Sequence, residues 1–176
     1  MKNLSTQRWL ALLAAACLGM LAFGILYLQN HLGLEPCPMC IVQRYALMGV
    51  IVWCLLGAPA NAPVRTLVMT WLIAITAGFG AFVAARQSWL QWYPPEVVSC
   101  GRDFYGMIEN FPLQRAVPMI FKGGGDCTKI DWAFLGGSIA NWSFAVFSSI
   151  LVLMIFLRWR DGMFRSAATE TSLNAN

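Results

Sequence analysis

The sequence predicts an all-α membrane protein, a bundle of four transmembrane helices with a long extramembrane loop between the third and the fourth. Of its 176 residues, 59% are hydrophobic and 11% are charged, which is far from the composition of a soluble domain. Uncharged runs cover 9–30, 45–61, 66–85 and 132–157. Each run approaches or exceeds the roughly 20 residues that cross a bilayer.

We therefore expect a single membrane domain over 1–176. Its predicted parts are spans at about 9–29, 41–60, 66–85 and 136–157, a loop at about 86–133 and a tail at 158–176. The first span is not read as a cleaved signal peptide, because its small residues lie in the middle of the apolar run rather than at its end. The second span reaches full length only if residues 41–44 form its first turn, with Arg44 extending to the headgroups.

Small residues repeat along the third span. Ala77, Ala81 and Ala85 share one row, and Ala74 and Gly78 lie on a neighbouring row. This spacing lets helices approach closely in lipid, so we expect a compact bundle. Cys17 and Cys54 fall inside the first two spans, where we expect them to behave as small apolar core residues.

The predicted loop is too short and too interrupted by proline and glycine to bury a core of its own without a cross-link. Cys100 and Cys127 are positioned to supply one. Closing a loop of this size constrains the unfolded chain by about 3 to 4 kcal/mol in the entropic model. The glycines at 123–125 are expected to act as a hinge beside Cys127.

The basic residues predict the orientation of the bundle. On one side they lie close to the helix ends, whereas on the other they are spread over two connections and matched by acidic residues. The positive-inside rule then places both termini in the cytoplasm. The residues that decide this are Lys2, Arg8, Arg65, Arg158, Arg160 and Arg165.

The stretch from Cys37 to Arg44 marks the change from a polar connection to an apolar helix. Pro38 is suited to the first helical position, which makes Cys37 the expected N-cap and places Cys40 in the first turn. The helix dipole and Arg44, one turn further on, stabilise a thiolate there. Cys40 is therefore the candidate reactive sulfur, although a pair at this spacing also suits half a zinc site or a structural bridge.

By parity, Cys37, Cys40, Cys100 and Cys127 emerge on the same non-cytoplasmic face, where disulfides persist. Two cysteine pairs on one oxidising face suit thiol–disulfide exchange, in which one pair passes its disulfide to the other. An electron acceptor that reaches Cys40 from the bilayer must be lipid-soluble, and a quinone, which takes two electrons, fits with Arg44 as its cationic contact. We expect no metal and no nucleic-acid partner, and we assign no acid–base role to the single histidine.

Over nearly its whole length, the chain resembles the DsbB family of bacterial inner-membrane, quinone-coupled disulfide-forming proteins. The likeness rests on four matching stretches together with the four spans. These are Cys37-Pro38-Met39-Cys40 followed by Arg44, Leu90-Gln91-Trp92-Tyr93-Pro94, Gly125-Asp126-Cys127 and Trp132-Ala133-Phe134-Leu135-Gly136.

The resemblance implies a thiol-disulfide:quinone oxidoreductase whose redox disulfides are Cys37–Cys40 and Cys100–Cys127. It implies that a DsbA-like periplasmic partner of thioredoxin fold attacks Cys100, and that Cys127 then joins transiently to Cys37. Cys40 is released as a thiolate towards ubiquinone or menaquinone from the membrane pool, with Arg44 helping to bind it. Where some relatives carry a histidine, this sequence has Gln87, so a quinone contact from that position is not assigned.

Two alternatives remain open from the sequence. The same bundle can run in the opposite direction, as a quinone reductase resembling vitamin K epoxide reductase. The four cysteines on one face can instead bind zinc and hold the loop for a non-enzymatic role, which an oxidising compartment disfavours.

Overall fold

The computed structural model describes residues 2–58, 63–94, 128, 130 and 132–173. These residues form four long helices and one short β-hairpin, and each helix is long and apolar enough to cross a membrane. The predicted four-helix membrane fold is therefore confirmed. Cys100, Cys127 and most of the predicted loop lie outside the described residues, so the disulfide between them stays a prediction.

The helices occur in the order of the predicted spans, but they begin and end at different residues. α3 runs past residue 85 because no proline interrupts it before Pro94. The fourth helix begins at Ile139, after the hairpin. The elements are α1 (Lys2–Ala22) continuing into a π-helical segment (Phe23–His31), α2 (Pro38–Gly57), α3 (Pro63–Trp92), β1 (Ala133–Phe134), β2 (Gly137–Ser138) and α4 (Ile139–Leu173).

α3 packs against both α2 and α4, while α1 packs against α2. The buried residues of α2 recur every three or four positions, as expected for one face of a helix. Its buried residues are Met39, Gln43, Ala46, Val50, Cys54 and Gly57. Cys17 and Cys54 are both fully buried in the main core cluster, with Leu10 and Ile73. Their predicted role as small apolar core residues is confirmed.

The outward faces of the helices are covered with large apolar side chains. Leu12, Val52, Trp71, Phe82 and Ile155 are each about half exposed or more. A monomer in water rarely exposes apolar surface on this scale, whereas lipid tails solvate it without cost. The bundle is thus the fold of a multi-pass membrane protein.

The small residues of α3 set how closely it approaches α4. Ala77 and Ala81 are buried, whereas Ala85, the next residue of the same row, is exposed and Ala84 takes the buried place. An α-helix has 3.6 residues per turn, so residues spaced by four rotate gradually around its axis. After two turns such a row has left the buried face. Gly80 lies in the same face, directly beneath the ring of Phe147.

We expect Gly80→Ala to destabilise the bundle, because the added Cβ would lie 2.5 Å from a ring carbon of Phe147. Overpacking of this kind costs about 1 to 3 kcal/mol. Thermal unfolding in detergent, followed by circular dichroism, measures the effect. The matched control is Gly78→Ala on the same helix, where a Cβ meets nothing within 4 Å and stability is retained or raised. Equal losses in both variants would contradict the packing assignment.

Candidate active site

Cys37 caps the N-terminus of α2, as the sequence predicts. Its backbone is extended, with φ −64° and ψ 159°, and Pro38 occupies the start of the helix. The Cys37 Sγ accepts a hydrogen bond from the backbone N–H of Cys40 at 3.3 Å. This amide is one of those that a helix N-terminus leaves without an intrahelical partner, so the cap holds Cys37 directly beside the first turn.

The capping geometry brings the two sulfurs together. Cys37 donates from its Sγ to the Cys40 Sγ across 2.8 Å. A disulfide requires about 2.05 Å, so the bond forms with a shift of less than about 1 Å. Cys37 is 6% exposed and Cys40 is half-buried. Because Cys37 donates and Cys40 accepts, the arrangement favours negative charge on Cys40.

An amide from α3 contacts both sulfurs. The Nε2 of Gln87 lies 3.3 Å from the Cys37 Sγ and 3.3 Å from the Cys40 Sγ. Its Oε1 accepts a hydrogen bond of 2.7 Å from the Nε2 of Gln43, one turn along α2 from Cys40. Met39, Val83 and Leu90 pack with Cys37 into a small apolar cluster at this crossing. Gln87 therefore contacts the thiols.

Arg44 reaches across to the π-helical segment. Its Nη1 donates to the Oε1 of Gln29 at 2.6 Å, and its Nη2 donates to the carbonyl oxygen of Gly24 at 3.3 Å. In an α-helix, residues five apart point about 140° away from each other, whereas the wider i→i+5 ladder stacks them on one face. The π-helical geometry thus presents Gly24 and Gln29 together towards Arg44.

Arg44 has no carboxylate within ion-pair distance in the described part of the chain, so its positive charge is balanced only by neutral oxygens.

A cavity of about 810 Å³ opens beside the cysteines and is bounded by all four helices and the hairpin. This volume lies within the range of about 300 to 1,000 Å³ that small-molecule sites occupy. The wall is mainly apolar, with polar groups grouped near the sulfurs. The polar lining includes Gln43, Arg44, Gln87 and Gln91, and the apolar lining includes Met20, Leu28, Leu47, Trp142, Val146 and Phe147.

The hairpin closes one side of the cavity. Leu135 and Gly136 have φ of 50° and 80°, the positive values that a two-residue type I′ turn requires. Trp142 Nε1 donates to the carbonyl oxygen of Phe134 at 3.0 Å, and Ser138 Oγ donates to the Oε1 of Gln91 at 2.5 Å. These bonds fasten the hairpin to α4 and α3, so its aromatic side chains form a fixed wall.

The structure brings together three of the sequence-predicted site residues, Cys37, Cys40 and Arg44, around one cavity. Cys100 and Cys127 lie outside the described residues. Sequence reasoning did not assign roles to Gln29 and Gln43. A signal for both was available, because a polar residue inside an apolar membrane span is costly and usually has a specific partner.

Comparisons with known proteins point to one family. The family model described as "Disulfide bond formation protein DsbB" matches residues 6–157. Two relatives, both named Disulfide bond formation protein B, come from Acidovorax sp. (strain JS42) and Paracidovorax citrulli (strain AAC00-1). The first is 63% identical over 158 residues, which cover 89% of each chain. The second is 66% identical over 154 residues, which cover 86% of each chain. No solved structure matches the chain.

The burial of the cysteines predicts the order in which they react with a water-soluble alkylating reagent. In the reduced, folded protein we expect iodoacetamide to modify Cys40 faster than Cys37, because Cys37 is enclosed. Peptide mapping by mass spectrometry follows each site with time. Cys17 and Cys54, both 0% exposed, serve as internal controls that react only after denaturation. Modification of either at the rate of Cys40 would contradict the assigned burial.

Proposed function

Because the chain belongs to the DsbB family of disulfide bond formation proteins, we propose that it is a thiol-disulfide:quinone oxidoreductase of a bacterial inner membrane. It reoxidises a DsbA-like periplasmic protein of thioredoxin fold and passes the electrons to a membrane quinone. The observation that carries the proposal is the Cys37–Cys40 sulfur pair, 2.8 Å apart, in the wall of a mainly apolar cavity within a membrane bundle.

The proposed topology has both termini in the cytoplasm and the cysteines at the periplasmic end. The grouping of basic residues near the helix ends supports it. A hydrogen bond of 3.4 Å from Arg160 Nη2 to Thr6 Oγ1 joins the beginning of α1 to α4 at one end of the bundle, which supports placing both on the same side of the membrane. Cys37 begins α2 at the opposite end.

The relay transfers two electrons by thiol–disulfide exchange. A partner thiolate attacks Cys100, the Cys100–Cys127 bond breaks, and Cys127 leaves as a thiolate. Cys127 attacks the Cys37 Sγ, which breaks the Cys37–Cys40 bond and releases the Cys40 thiolate. The second partner thiol then displaces Cys100 as a thiolate. Cys100 attacks Cys127, which breaks the Cys127–Cys37 bond, releases Cys37 as a thiolate and restores the loop disulfide. The partner has gained a disulfide, and Cys37 and Cys40 have gained two electrons.

The described residues fit a quinone at this site. The cavity has a volume in the range of small-molecule sites and a mainly apolar wall suited to a quinone ring, and Arg44 offers a positive charge without a carboxylate partner among the described residues. Cys40 and Arg44 would hold the group. When bound, ubiquinone or menaquinone supplies the acceptor for two electrons and two protons that lets the dithiol return to a disulfide.

We expect Cys40→Ser to abolish quinone-dependent oxidation of a reduced DsbA-like protein, because no sulfur remains to close the Cys37 disulfide. The loop cysteines still exchange with the partner, so a mixed disulfide through Cys100 remains detectable on non-reducing gels. Cys17→Ala, in the core, is the matched control and turns over normally. Normal turnover by Cys40→Ser would refute the proposal. Both the proposed enzyme and the quinone reductase alternative reduce the quinone, so comparing turnover with a reduced DsbA-like protein and with another thioredoxin-like donor separates them.

We expect Arg44→Met to raise the KM for quinone about tenfold, because a charged hydrogen bond is worth about 1.5 to 3 kcal/mol. The rate of exchange between the partner and the loop is expected to stay unchanged. Steady-state assays with a water-soluble short-chain quinone measure the first quantity and stopped-flow mixing measures the second. The control is Arg65→Met at the other end of the bundle, where Arg65 contacts only the Leu56 carbonyl oxygen among the described residues. An unchanged KM in Arg44→Met would remove Arg44 from the quinone site.

A further inference from the structure

The side-chain amides of Gln43 and Gln87 are buried where α2 crosses α3. Gln43 is 5% exposed and Gln87 is 3% exposed, each on a largely apolar membrane helix. Burying an amide in such surroundings is unfavourable unless its hydrogen bonds are made. Here the two amides hydrogen-bond to each other, and Gln87 also contacts the two sulfurs. We therefore ask how the amides affect the reaction of Cys37 and Cys40.

Gln43 fixes which end of the Gln87 amide faces the sulfurs. A primary amide has one oxygen that accepts and one nitrogen that donates two hydrogens. The Gln43 Nε2 donates to the Gln87 Oε1 at 2.7 Å, which holds that oxygen on the side of Gln43. The Gln87 nitrogen is left facing Cys37 and Cys40 at 3.3 Å from each, within hydrogen-bond distance of both sulfurs.

The N–H groups of Gln87 stabilise the reduced and the oxidised form of the Cys37–Cys40 pair to different extents. A disulfide sulfur is uncharged and accepts hydrogen bonds weakly, whereas a thiolate sulfur accepts them strongly. The same amide also serves a protonated Cys40, whose Sγ lies 3.8 Å from the Gln87 Oε1. Donation from Gln87 therefore stabilises the reduced pair more than the oxidised pair. Stabilising the reduced form makes a dithiol–disulfide couple a stronger oxidant.

We propose that Gln43 and Gln87 form an amide relay that sets the redox equilibrium of Cys37 and Cys40. Gln87 stabilises the reduced pair by donating to both sulfurs, and Gln43 is a positioning residue that acts only through Gln87. The inference rests on the proposed function in that it takes the pair to be redox-active. It adds the residues that make the pair oxidising enough to accept electrons from the loop.

The test uses the full chain with Cys100→Ala and Cys127→Ala, washed free of quinone in detergent, so that only Cys37 and Cys40 titrate. The purified protein is equilibrated with mixtures of reduced and oxidised glutathione, and the disulfide fraction is counted by alkylation and mass spectrometry. In this background we expect Gln87→Met to shift the equilibrium about tenfold towards the disulfide, equivalent to about 30 mV. Methionine keeps the length and volume of glutamine without a donor.

The relay makes a sharper prediction for Gln43. Gln43→Met alone shifts the equilibrium in the same direction by a smaller factor, about threefold, because the Gln87 amide can then face either way. In the double variant, Gln43→Met adds nothing to Gln87→Met. A change of less than about twofold in Gln87→Met would overturn the inference, and additive effects in the double variant would overturn the positioning role of Gln43.

Two further variants guard against a general loss of structure. Gln87→Asn keeps a buried amide but draws it back by one methylene from the sulfurs, so it shifts the equilibrium like Gln87→Met even if the latter fails to fold. Thr70→Val removes a buried hydroxyl from the other end of α3, where Thr70 bonds the Thr66 carbonyl, and leaves the equilibrium unchanged. Because no quinone or partner takes part, failure here is distinct from failure of the proposed enzyme activity, which the Cys40→Ser turnover assay reports.

Discussion

The close packing of α3 against α2 is the interaction on which the rest of the site depends. It brings the Gln87 amide into contact with both sulfurs, beside the apolar cluster that Met39, Val83 and Leu90 form with Cys37. Hydrogen bonds in such an enclosed, weakly polarisable layer are stronger than in water, and leaving one unmade is correspondingly costly. The crossing therefore holds Cys37 and Cys40 in a defined geometry with defined donors.

Irregular backbone accounts for the other walls of the cavity. The π-helical segment turns Gly24 and Gln29 onto one face, where they receive Arg44, and the type I′ hairpin folds Phe134 over the cavity beside Trp142. π-helical segments and tight turns are found where a functional side chain has to be re-aimed from the regular ladder. In this bundle, regular helices supply the apolar wall, and the irregular segments bring the charge and the aromatic rings to it.

The site unites two environments that the proposed chemistry requires. On one side lie sulfurs and amides that can carry and stabilise negative charge, and on the other lies an apolar space of about 810 Å³ open to a lipid-soluble molecule. Arg44 lines this cavity, as does Glu35, but no carboxylate of the described residues lies within ion-pair distance of Arg44. A charge held by neutral oxygens alone is available to whatever anion forms in the cavity, which a structural ion pair would not allow.

The sequence by itself determined the features that depend on neighbours along the chain or on solvent. Four apolar runs specify four membrane helices, because each must satisfy its own backbone in lipid, and Pro38 after Cys37 specifies a cap with Cys40 in the first turn. Only the tertiary structure decided which distant side chains meet. The contacts of Gln87 with both sulfurs, of Gln43 with Gln87 and of Arg44 with Gln29 join different helices.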